Sequence, residues 1–147
     1  MSATNAFETA CLSLYFTNTD HANIGDAAGL QNSAAAGSFY ISLHTADPGE
    51  TGTQATSETA YTGYARLAVA RSGAGWTVSG NTASNAAVLT FGTCTAAPGA
   101  NITHFGIGTD ASGVGNLLFS GALGAAYTPA VSNAPTAAIG AISTAAD

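Results

Sequence analysis

The chain has 147 residues, 46% of them hydrophobic but only 7% charged, against about 25% charged in an average soluble domain. Lysine is absent, Arg66 and Arg71 are the only cations besides three histidines, and the formal charge is −6. Nucleic acid is excluded as a partner, because phosphate binding needs a basic stripe that this composition cannot supply. The length suits a single domain over residues 1–147, and a mean hydropathy of +0.24 argues against disorder. No apolar run approaches the ~20 residues that span a bilayer. Residues 1–20 lack the basic start of a secretory signal, so the expectation is a soluble, unexported product with no membrane partner. Cys11 and Cys94 have no CxxC spacing and read as buried free thiols.

In chain order, the first predicted element is a helix over about residues 5–17. Asn5 is placed as its cap, Glu8 at the third helical position, and Phe7, Ala10, Cys11 and Leu14 on one face. Turn formers and the acids Asp20 and Asp26 follow. From Ser38 the period becomes two: Phe39, Ile41 and Leu43 alternate with Tyr40, Ser42 and His44, predicting a strand with one buried face. Asp47-Pro48-Gly49 ends it in a turn. A second strand is expected over Tyr64–Arg71, with Arg66 and Arg71 on opposite faces. A third starts at Trp76 and Val78, with Trp76 in the core, and Gly80-Asn81 turns it into a strand over Thr82–Phe91. Ile102–Ile107 and Asn116–Ser120 pair across the glycine-rich turn Thr109–Gly115. Past Tyr127 the sequence is Ala-, Thr- and Pro-rich, and Pro129 and Pro135 restrict it to edge strands or an extended tail; the less regular part, over about residues 125–147, is expected to be able to reach neighbouring subunits by strand addition. The sum is an all-β jelly roll or β-sandwich with one N-terminal α-helix.

Chemistry is scarce. His44, Asp47 and Glu50 fall close together but match no zinc spacing, and His104 near Asp110 is a weaker pairing still. Gly106–Gly113 reads as a hairpin loop, since no helix follows it as a dinucleotide site requires. No G-x-S-x-G elbow occurs, and most acids fall in turns. The expectation is therefore no enzyme, no catalytic residue, no cofactor and no metal. Arg66 is the better candidate for an ion pair, within the chain or across a subunit boundary. Tyr40, Tyr61, Tyr64, Arg66 and Arg71 are the candidate interface residues.

Leu43–Glu50, then Tyr61–Arg66, then Thr103–Ile107 together resemble a family of small tailed-bacteriophage virion proteins, labelled tail fibre proteins and similar to capsid decoration or cement proteins. The likeness spans roughly Asn5 to Leu123. It implies a protein made in the host bacterial cytoplasm and built into the virion. The leading expectation is a non-enzymatic decoration protein on the outer capsid surface, binding major capsid protein as a homo-dimer or homo-trimer and bridging capsomers. The alternative is a tail or tail-fibre component that recognises a host surface glycan, with Tyr40, Tyr61 and Tyr64 as exposed platforms.

Overall fold

The computed structural model describes residues 3–25, 28–96 and 98–146. In chain order its elements are α1 (Asn5–Phe16), β1 (Ser38–His44), β2 (Leu67–Ala70), β3 (Trp76–Ser79), β4 (Thr82–Asn85), β5 (Leu89–Thr90), β6 (Ile102–Gly108), β7 (Leu117–Tyr127), β8 (Thr136–Ala137) and β9 (Ser143–Ala145). The fold is thus all-β with one N-terminal helix, as expected. The chain divides into two compact units, one of Met1–Ser38, Ala70–Val88 and Ala138–Asp147, the other of Phe39–Val69 and Leu89–Ala137.

In the first unit the helix starts as expected but is capped one residue earlier. Thr4 has an extended backbone and its Oγ1 accepts from the Phe7 N–H at 3.4 Å, because Asn5 is already helical. The buried face is Glu8, Leu12 and Phe16, not the Phe7, Ala10, Cys11 and Leu14 stripe, and Phe7 is 48% exposed. An aromatic pair sets this rotation: Phe16 meets Trp76 edge-on with ring centroids 4.7 Å apart, which adds to the area that both rings bury. The last turn of α1 carries no basic residue, yet its orphan carbonyls need donors. Arg71 provides them, giving Nε to the Tyr15 carbonyl at 2.5 Å and Nη2 to that of Leu14 at 2.8 Å. Its Nη1 donates to the Ala36 carbonyl at 2.9 Å.

Gly80 has φ +58° and forms the expected two-residue turn with Asn81 between β3 and β4. The strand expected to run to Phe91 stops at Asn85. That side chain is fully buried, donates Nδ2 to the carbonyls of Ala87 and Ala138, and accepts the Ile142 N–H on Oδ1. A side-chain amide replaces the ladder here, and β9 pairs with the outer side of β4.

The second unit is built on a four-stranded sheet in the order β2-β1-β6-β7. Ile41 lies opposite Ile107 and Leu43 opposite Phe105, and all four are buried. β1 has the expected bounds, but Ser42 and His44 are buried as well as the apolar residues, so more than one face is covered. The strand expected over Tyr64–Arg71 is confined to β2, because Tyr64 and Arg66 are drawn toward Glu58. β7 continues to Tyr127, while β5 pairs with β8. The tail after Ala125 joins its own chain's sheets through β8 and β9, each at a sheet edge, as Pro129 and Pro135 allow.

Replacing Asn85 with Ala removes three hydrogen bonds and strands buried backbone groups, each costing roughly 1–3 kcal/mol. Urea unfolding of N85A is expected to show a loss of about 3 kcal/mol, whereas S79A on the exposed end of β3 stays within about 0.5 kcal/mol.

Candidate functional site

β6 carries Gly106 and Gly108 on one face, two residues apart, and their missing side chains make room for buried polar groups. A Cβ on Gly106 would lie 2.7 Å from both His44 Nε2 and Ser42 Oγ, and one on Gly108 would collide with the Gln54 side chain. His44 Nδ1 sits 2.8 Å from the Thr56 carbonyl, which can only accept, so Nδ1 carries the proton. Nε2 then accepts from Ser42 Oγ at 2.8 Å. Burial pushes the His44 pKa below its ordinary 6.5, opposed in part by the Thr56 bond. Gln54, fully buried, donates Nε2 to the Tyr40 carbonyl at 3.3 Å and accepts the Asp110 N–H on Oε1 at 3.0 Å.

Beside these groups Arg66 forks onto Glu58, with Nε to Oε1 and Nη2 to Oε2 both at 2.8 Å. The two side chains are only 3% and 17% exposed. Tyr64 Oη donates to the same Oε1 at 2.8 Å and accepts the Leu43 N–H at 3.0 Å. The Glu58 carboxylate raises the Arg66 pKa still further, and burial raises that of Tyr64. Arg66 also reaches the β6–β7 loop, donating Nη1 to the Asp110 carbonyl at 3.0 Å and Nη2 to that of Gly113 at 2.6 Å. The Ala55 N–H closes on the Val114 carbonyl at 3.2 Å. The loop expected over Thr109–Gly115 is present and is held from several sides, with Val114 65% exposed at its tip.

A cleft of about 370 Å³ opens nearby between the turn after β1, which carries Asp47 and Glu50, and Leu117–Ser120 of β7. Both acids are exposed, Pro48 is buried, and Asp47 Oδ1 accepts the Gly49 N–H at 2.9 Å.

Of the five candidate interface residues, Tyr61, Tyr64 and Arg66 lie together in the second unit. Tyr64 and Arg66 meet at Glu58, where Arg66 has the intrachain ion pair anticipated for it. Tyr61 is 2% exposed and donates Oη to the Gly92 carbonyl at 2.8 Å. Its ring meets Tyr64 edge-on at 5.4 Å, and burial pushes its phenol up to about 12, so it is not the exposed platform expected. Tyr40 is half-buried on β1, and Arg71 belongs to the first unit. His44 engages both ring nitrogens with Ser42 and Thr56, and His104 Nδ1 lies 2.9 Å from Thr103 Oγ1. Among the described residues no three His, Cys, Asp or Glu side chains converge as metal ligands. Both cysteines are free thiols; Cys94 is buried, but Cys11 is half-buried, with Sγ 4.0 Å from His21 Nδ1. Asp20 accepts the Asn32 N–H at 2.7 Å, and Asp26 lies outside the described residues.

Sequence reasoning missed Gln54 and Glu58. Glu58 had a signal, being the acid nearest in sequence to Arg66; Gln54 had none, since its environment is created by a glycine 54 positions away in the chain.

A family model described as Podophage GP4 fiber I protein gp80 matches residues 2–145. No curated protein matches the chain. No helix among the described residues is long and apolar enough to cross a membrane.

Removing one partner of a buried, forked ion pair costs about 3 kcal/mol. R66A is expected to lose about that much in urea unfolding and to speed amide exchange at Asp110. R66K recovers less than half, because an ammonium cannot span both carboxylate oxygens. For His44, the unfolded chain takes up a proton before the folded chain does. Its contribution is therefore fully present above pH 6.5 and is lost as pH falls through the depressed folded pKa. Urea midpoints measured from pH 7.5 to 4.5 should fall below pH 6.5, and in His44→Gln this part of the fall should be absent.

Proposed function

The chain belongs to the podophage GP4 fiber I protein family, and from that membership we propose a non-enzymatic structural part of the virion that works by adhesion. The observation that carries this reading is the preset state of the β6–β7 loop. Arg66 and Gln54 spend their polar groups on its backbone, so docking a partner there orders few additional groups and wastes little binding energy. The polar residues that a catalytic site would draw on in this unit serve the fold instead: His44 bonds Ser42 and Thr56, and Glu58 holds Arg66 and Tyr64.

The family description favours a place on a fibre. The chain has no internal repeat of the kind from which a shaft is built, so it fits a globular knob or connector better than the shaft itself. Capsid decoration, with major capsid protein as partner and a homo-dimer or homo-trimer as the binding unit, is the second reading. A short, unrepeated module that binds many equivalent lattice sites favours it. Recognition of a host glycan by the tyrosines is weaker, because Tyr61 is buried.

Gold-labelled antibody on purified particles, followed by reconstruction of the virion, separates these placements. Label at the tail in few copies is the expected result. Label over the shell in many copies selects decoration, and particles that lack the protein overturn the structural role itself.

A further inference from the structure

The segment after α1 turns back on itself and carries one imidazole to the helix. Asn18 and Ser33 exchange two hydrogen bonds, Asn18 Nδ2 to the Ser33 carbonyl and the Ser33 N–H to Asn18 Oδ1, both at 2.9 Å. Asp20 accepts the Asn32 N–H, and His21 and Leu30 exchange backbone hydrogen bonds at 2.9 Å in each direction. The return can be this close because Gly29 has no side chain, and a Cβ there would collide with the His21 carbonyl oxygen. These bonds fix the His21 backbone. Its ring centroid lies 5.5 Å from that of Phe7, one helical turn before Cys11, and its Nδ1 is 4.0 Å from Cys11 Sγ. His21 is only 7% exposed, and that thiol is the one partner of its ring nitrogens among the described residues. Buried polar groups are ordinarily hydrogen-bonded, and a nucleophile and its base often stand farther apart until a substrate is bound. Cys11 is half-buried, whereas Cys94 is fully buried.

We propose that Cys11 is a nucleophilic thiol with His21 as its base, and that it takes an uncharged disulfide with apolar flanks by thiol–disulfide exchange. In the tautomer with the ring proton on Nε2, Nδ1 accepts the proton of the Cys11 thiol as Sγ attacks one sulfur of the disulfide. A new S–S bond forms, the old one breaks, and the second sulfur leaves as a thiolate that takes the proton back from the imidazolium. Cys11 is oxidised and the leaving sulfur is reduced, so no further oxidant enters. The step runs once per chain, because it consumes the thiol and leaves a covalent attachment. The rim sets the class of substrate. Phe7 and Leu30 are 48% and 45% exposed, and Leu30, opposite His21 in an antiparallel bridge, projects its side chain on the same side of the ribbon. With a formal charge of −6 on the chain and Asp20 next to His21, an anionic disulfide is repelled. The proposal goes beyond the adhesive role given above and does not rest on it.

The test uses the full chain and two chromogenic disulfides, the uncharged 4,4′-dithiodipyridine and the dianionic 5,5′-dithiobis(2-nitrobenzoate), followed by absorbance. One equivalent is expected to react in the folded chain and a second only in urea, which exposes Cys94; C11S should lose the first. From pH 7 to 8 a thiol that ionises unaided gains about tenfold in rate. The folded chain should gain less than about threefold, because the imidazole takes the proton. H21Q should react at least about tenfold more slowly at pH 7 and show the steep pH dependence, with Cys94 still protected as the sign of an intact fold. Scaled to their rates on the urea-unfolded chain, the uncharged disulfide should outpace the dianion by at least about threefold. An unreactive Cys11, a rise near tenfold per pH unit in the wild type, or an H21Q rate equal to that of the wild type would overturn the proposal. Equal scaled rates for the two probes would overturn the substrate class. The wild-type pH profile needs no variant, so it decides the role of His21 whether or not H21Q folds. None of these results depends on particle labelling, so the proposal can fail while the virion role stands.

Discussion

A guanidinium group in a chain almost without charge has few places to go, and the placement of Arg66 organises the second unit. Its fork onto Glu58 satisfies both carboxylate oxygens, and its remaining donors hold the β6–β7 loop through Asp110 and Gly113. A fully matched pair of this kind adds little net stability over an apolar substitute, but it penalises any arrangement in which one partner is left alone. One interaction thus fastens the segment after β1, the approach to β2 and the β6–β7 turn. Arg71 plays a parallel part in the first unit, where it supplies donors to the carbonyl end of α1. Both cations are spent on backbone and fold, which leaves the acids to set the sign of the exposed surface.

The second constraint is steric. Gly106 and Gly108 clear one face of β6, and His44, Ser42 and Gln54 fill the space with hydrogen-bonded side chains in place of apolar packing. This is how a chain rich in alanine, glycine and threonine covers a sheet without many large hydrophobic residues. Networks of this type are costly when incomplete and directional when complete, so they hold loops in a defined position. A surface so prepared suits a part that must stay where it is docked.

Much of the layout was legible in the residues. The bounds of β1, the Gly80-Asn81 hairpin, the buried Trp76 and the β6–β7 turn follow from period-two alternation and turn chemistry, which act over a few positions. Where the expectation failed, a distant partner intervened. The rotation of α1 was decided by Phe16 against Trp76, the early end of β4 by Asn85 reaching Ala138 and Ile142, and the burial of Tyr61 by its bond to Gly92. In the tail, Pro129 and Pro135 left edge strands or an extended course open, and pairing with β5 and β4 settled it as the short edge strands β8 and β9.

By itself the sequence determined the class of fold, the near absence of basic charge and the scarcity of reactive groups, since these depend on composition and on patterns shorter than one element. Tertiary structure alone decided that Arg66 meets Glu58, that Gln54 fills the space over Gly108, and that Asp47 and Glu50 line one cleft with Leu117–Ser120 of β7. Those juxtapositions join residues far apart in the chain, and their energies exist only once loop closure has brought the partners together.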